Sequence, residues 1–220
     1  MVVSLTKGNK KLGKIPSFSL PAGSTCPGQS TVCAGDCYAM KGYFVYPSVQ
    51  RSYERNLEAT KREDFVEAMT QKVKARGPAV VRTHVSGDFY SGEYVRKWVL
   101  IAQACPETIF YAYTRSWRVK EIRKELHVLA RLGNVKLWYS ADHETGLPIR
   151  KPDSVRTAWM QTAPDDLPTR KALLFRTENL RATVQKRVSL PVSGETTLTC
   201  PAENGVTKTT CEKCSICWEC

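Results

Sequence analysis

The chain reads as an α/β protein, a partial or irregular (β/α) barrel of about six strands that ends in a cysteine-rich tail. Three observations predict this. Short β-branched or aromatic runs alternate with apolar repeats of helical period. Glycine and proline punctuate the boundaries between them. Near residue 190 the composition turns loop-like and the last cysteines appear, which divides the chain into a barrel domain over 1–190 and a metal-binding tail over 191–220.

An extended segment is expected before Cys26. Residues 48–76 read as helical, because Val49, Tyr53 and Leu57 are spaced by four and Phe65, Met69 and Val73 repeat the spacing. Gly77 and Pro78 end that element. "AVVRTHVSGDF" follows as a strand. "SGEYVRKWVLIAQAC" is a helix with Tyr94, Trp98 and Ile101 on one face, and Cys105 at its end is a small core residue. "TIFYAYT" is the next strand. "VKEIRKELHVLARLG" is a helix that turns Ile122, Leu126 and Leu129 inward and stops at Gly133. "VKLWYSA", "TAWMQTA" and "KALLFRTE" complete the strands. Alternation of this kind implies parallel pairing through right-handed crossovers. An open Rossmann-like sheet is the alternative, but no GxGxxG follows the first strand.

The 220 residues are 42% hydrophobic and 25% charged, the balance of an ordinary globular domain. No apolar run is long enough to span a bilayer, so no membrane partner is expected. The first residues, "MVVSLTKGNKKLGK", run opposite to a signal peptide, and a cytoplasmic location is expected. Thiols stay reduced there, so clustered cysteines point to metal rather than disulfides. The net charge of +12, with Lys7, Lys10, Lys11 and Lys14 all preceding the first acidic residue, Asp36, is compatible with a nucleic-acid partner. A solvated basic surface is the plainer account. No helix-turn-helix, RNP or zinc-finger pattern accompanies the charge.

Eight of the nine cysteines fall in two groups. Cys26, Cys33 and Cys37 lie in one loop. Three thiolates suit a [4Fe–4S] cluster with one open iron, or a [3Fe–4S] cluster, better than a tetrahedral zinc site. The tail carries Cys200, Cys211, Cys214, Cys217 and Cys220, with the C-x2-C-x2-C spacing of ferredoxins. Zinc is the alternative at the tail, because C-x2-C pairs also form zinc knuckles. Polar residues at the carboxyl ends of barrel strands line the site in such folds. Here those are His84 and Asp88, Thr114 and Arg115, Asp142 and His143, and Arg176 with Glu178. Each of these, taken singly, is equally an ordinary polar residue at a strand end.

"TCPGQSTVCAGDCYAMKG", "SGDFYSGEYVRKW", "YAYTRS" and "CPAENG…CEKCSICW" resemble the phage and actinobacterial proteins of the gene product 88 family. The resemblance covers nearly the whole chain. That family is more distantly similar to radical S-adenosylmethionine proteins. The likeness implies a cluster on Cys26, Cys33 and Cys37, with Ser86, Gly87 and Asp88 near the methionine end of bound S-adenosylmethionine. The loop here is C-x6-C-x3-C rather than C-x3-C-x2-C, and Tyr38 follows its last cysteine. The expectation is an iron–sulfur protein, of phage origin by resemblance, with an electron donor among its partners and no catalytic residues assigned. The alternatives are an active radical S-adenosylmethionine enzyme and a zinc-stapled, basic nucleic-acid-binding protein.

Overall fold

The computed structural model describes residues 3–177, 180, 186–203 and 209–219. Its centre is a six-stranded parallel sheet. The strands are β1 (Ser17–Phe18), β2 (Val80–Thr83), β3 (Ile109–Thr114), β4 (Val135–Ala141), β5 (Arg156–Gln161) and β6 (Leu173–Arg176), and they pair in sequence order. The expected α/β architecture is present. Parallel strands taken in order need crossovers of one hand, which puts every connection on the same face.

Helices fill that face. They are α2 (Pro47–Lys61), α3 (Phe65–Arg76), α4 (Gly92–Ala104) and α5 (Lys120–Leu129), while the one-turn α1 (Thr31–Gly35), which buries none of its residues, lies in the loop after β1. Phe65, Met69, Trp98, Ile101 and Leu126 are fully enclosed against Val81, Phe110, Leu137, Tyr139 and Leu174 of the sheet. The connections from β4 to β5 and from β5 to β6 contain no helix, and this is the irregular part of the barrel.

The helix expected over 48–76 is two helices. Arg62 is extended, at φ −76° and ψ 154°, and it pairs with Asp64. No glycine or proline marks that break. Gly77 closes α3 in the left-handed region at φ +55°, as the sequence predicts.

The opposite face of the sheet takes up the two ends of the chain. The hairpin β7 (Arg187–Ser189) with β8 (Thr196–Leu198) precedes two one-turn helices, α6 (Cys211–Cys214) and α7 (Ile216–Glu219). Trp218, Cys211 and Cys217 pack with Leu12, Ile15, Tyr111, Trp138 and Leu173. The tail also uses polar ties. Trp138 Nε1 donates to the carbonyl of Cys217 at 3.0 Å, and Arg156 Nη1 donates to that of Ile216 at 3.0 Å. The amide of Cys211 donates to the Lys11 carbonyl at 2.8 Å. No helix among the described residues is long and apolar enough to cross a membrane.

Candidate functional site

The loop that carries Cys26, Cys33 and Cys37 leaves β1 and lies across the carboxyl edge of the sheet. Close backbone packing seats it. A Cβ on Gly28 would stand 2.1 Å from the Arg115 carbonyl oxygen, so only glycine fits there. Gly87, at φ +76°, leaves its Cβ position to Thr25 and Leu20, which a side chain would meet at 2.6 and 2.7 Å. Arg118 Nη1 donates to the carbonyls of Gly28 and Gln29 at 3.1 and 2.9 Å. The Tyr38 hydroxyl donates to the Val85 carbonyl.

One buried carboxylate ties this loop to the strand ends. Asp142 Oδ2 accepts from Ser30 Oγ and from Arg115 Nη1, both at 2.6 Å. Ser30 is also the N-cap of α1, where its oxygen accepts from the Cys33 amide at 2.9 Å. The ion pair beneath the cysteines therefore fixes the short helix that presents Cys33. Burial would push the Asp142 carboxyl up, but the Ser30 hydroxyl and the Arg115 guanidinium outweigh it and hold it below the usual range.

Burial pushes the Cys26 thiol up to about 12, and Asp88, Cys33 and Cys37 add to the shift. Burial raises Cys33 too, with Arg115 opposing. Cys26 and Cys33 thus both feel Asp88 and Cys37. All three are free and partly exposed.

Ser86, Gly87 and Asp88 lie beside this loop. Asp88 Oδ1 accepts from the Phe89 amide at 2.7 Å and Oδ2 from the Arg115 amide at 2.8 Å. The Ser86 hydroxyl is buried without a partner. Its backbone carbonyl accepts from the Leu20 amide at 2.9 Å, which extends the pairing of β1 and β2 by a further residue. His84 is a core group. It sits at φ +62°, its Nε2 lies 2.7 Å from the Tyr94 hydroxyl, and burial, helped by Arg82, brings its pKa down to about 3. His143 is exposed and stands 3.3 Å from Asp166. Glu178 lies outside the described residues.

The tail cysteines form a second group beneath the open face. Cys200 is pushed up to about 12 by burial, with Lys11 opposing and Glu203, Cys217 and Cys211 adding to the shift. Cys217 Sγ lies 2.9 Å from the Tyr113 hydroxyl. Cys211 feels Lys11, Arg82 and Cys214 in turn. Cys220 lies outside the described residues. Among the described residues, no group of three or more His, Cys, Asp or Glu side chains is gathered closely enough to hold a single metal ion.

Residues 3–220 match the profile of the family described as Gene product 88. The chain belongs to that family. It is 34% identical over 154 residues to the Gene 88 protein of Mycobacterium phage L5, a match covering 64% of this chain and 63% of that protein. To the Gene 88 protein of Mycobacterium phage D29 it is 32% identical over 154 residues, covering 64% and 62%. The matched segment is thus under two thirds of each relative's own length. No solved structure matches the chain, and the more distant likeness to radical S-adenosylmethionine proteins is carried by none of these comparisons.

Two features of this Gene product 88 chain were not read from its sequence. One is the set Ser30–Asp142–Arg115. The other is a pair of partly buried cations, Lys11 and Arg82, on the open face. Arg82 stands over the rings of Tyr111 and Tyr113, 4.9 and 4.4 Å from their centroids, and its Nε donates to the His84 carbonyl. Among the described residues it has no carboxylate partner. The signal for it was an arginine interrupting the valine-rich run "AVVRT".

Proposed function

We propose that this protein binds iron–sulfur clusters. One is held by Cys26, Cys33 and Cys37 at the carboxyl edge of the sheet, and a second by tail cysteines drawn from Cys200, Cys211, Cys214, Cys217 and Cys220. The observation that carries the reading is the grouping of seven free thiols into two sets, each facing fixed positive charge. Arg115 opposes the rise at Cys33, and Lys11 and Arg82 oppose it at Cys211.

Arg82 is a partly buried cation with no carboxylate among the described residues, and an anionic centre beside it would supply the missing counter-charge. Clusters ligated by thiolates are such centres. Burial favours the neutral thiol in the metal-free protein, so loading releases protons from the cysteines. The thiols of each group are electrostatically linked yet not gathered about one ion position. At the first site three cysteines leave one iron free for an outside ligand. S-adenosylmethionine is the ligand to test there, beside the unpartnered Ser86 hydroxyl.

The test is iron and acid-labile sulfide per chain on anaerobically purified protein, with EPR, for wild type and for the triple Cys26→Ala, Cys33→Ala, Cys37→Ala variant. Wild type is expected to hold both elements, and the variant to lose one centre and keep the other. Wild type with zinc in place of iron, or with no metal after anaerobic reconstitution, overturns the reading.

A further inference from the structure

The described residues leave nine large apolar side chains exposed, and five of them fall within residues 38–46. Tyr38, Met40, Tyr43, Val45 and Tyr46 each keep between 46% and 61% of their surface open. An ordinary surface scatters such residues singly. Here two 3-10 turns, Tyr38–Met40 and Gly42–Val45, bring them together over a small core of Ala39, Phe44 and Tyr53. Phe44 is the anchor. It stacks on Tyr43 with centroids 4.7 Å apart and meets Tyr38 edge-on at 5.5 Å. That leaves the outer face of Tyr43 free on a rigid base.

The surroundings are basic. Over residues 38–55 the charged side chains are Lys41, Arg51 and Arg55 against Glu54 alone. All three cations are exposed, and none is drawn into an ion pair among the described residues. Arg51 and Arg55 are four apart on α2, so they continue the surface from Tyr46 along one face of that helix.

We infer that residues 38–55 are a binding platform for single-stranded nucleic acid. Tyr43 and Tyr46 stack on bases, and Lys41, Arg51 and Arg55 carry the phosphates. The occupant must be polyanionic and must offer flat apolar faces, and unpaired nucleotides supply both. A duplex keeps its bases stacked inside, which leaves nothing for the tyrosines to hold. The inference is independent of the iron–sulfur reading, since none of its residues is a proposed cluster ligand.

The experiment is fluorescence anisotropy of the full chain with a labelled twelve-nucleotide oligo(dT), the same strand as a duplex, and heparin as a polyanion without bases. The single strand is expected to bind more tightly than the duplex and to resist competition by heparin. Tyr43→Ala with Tyr46→Ala is expected to weaken binding by roughly 5- to 100-fold per stacked base while leaving the salt dependence unchanged. Lys41→Gln is expected to flatten the slope of log affinity against log salt by about 0.7. These side chains are exposed, so the variants should fold, and circular dichroism checks that they do. Unchanged affinity in the tyrosine variant overturns the inference, as does equal binding of heparin and oligo(dT). So does a dimer in wild type that the tyrosine variant abolishes, because the patch would then be covered by a second copy of the chain.

Discussion

At the scale of the single residue, Asp142 has more to hold together than any other side chain at the cysteine edge. Its Oδ2 serves the Ser30 hydroxyl and the Arg115 guanidinium at once, and both charged groups are buried. Removing one member of a buried pair leaves the other charged and unsatisfied, at a cost of about 3–5 kcal/mol. Asp142→Asn should therefore lower stability by about 3 kcal/mol at pH 7, read from urea unfolding. The effect has a pH signature. The Asp142 carboxyl is held below the ordinary carboxylate value, so its contribution is complete above about pH 4 and is lost as pH falls through its depressed folded value. The gap between wild type and variant should accordingly close in acid. A gap of equal size at pH 7 and pH 3 would mean that shape at this position matters and charge does not.

At the scale of the element, α1 is too short to hold itself. Five residues give barely one turn, and an isolated turn is unstable in water. Its order is borrowed from the Ser30 cap and from Asp142 beneath it. Ser30→Ala should cost about 1 kcal/mol. The expected readout is local: faster hydrogen exchange at residues 31–37 and slower iron incorporation, with the amides of β2–β4 still protected. Global unfolding at unchanged local protection would show that the cap is not what holds the loop. The same element shows what sequence can and cannot reveal. Its cysteines stood out because thiols are rare and these are clustered. The strands from Val80 to Ala141 stood out because they alternate with helices of clear period. β1 is only two residues long and has no period to detect. The break between α2 and α3 falls in the polar run "KRED", where no glycine or proline announces it. The seat of α1 was hidden for a different reason. Ser30 and Asp142 are 112 residues apart, and no local pattern encodes a contact that only the folded sheet creates.

At the scale of the whole molecule, the open face of the sheet is closed by the chain's own ends, and the question is what keeps them there. The tail's helices are one turn each, and its apolar contribution is concentrated in Trp218, Cys211 and Cys217. Against this stand Lys11 and Arg82, partly buried cations brought under the same cover. Lys11 has Glu203 at 2.6 Å, whereas Arg82 relies on two aromatic rings and a carbonyl. A tail held by packing alone would keep most of its stability without metal. A tail held by a cluster would not, because binding that occurs only in the folded state adds directly to folding free energy. Anaerobically reconstituted wild type should therefore melt above chelator-stripped protein by about 5–10 °C, equivalent to about 3 kcal/mol for a chain of this size. Residues 209–219 should exchange faster in the stripped form, while the helix-covered face keeps its protection until the sheet itself unfolds. The triple variant at Cys26, Cys33 and Cys37 should retain this metal-dependent shift, since the tail ligands proposed above are intact in it. Equal melting of loaded and stripped protein would assign the closure to Trp218 and Trp138 packing, with the tail cysteines then serving as small core residues rather than ligands.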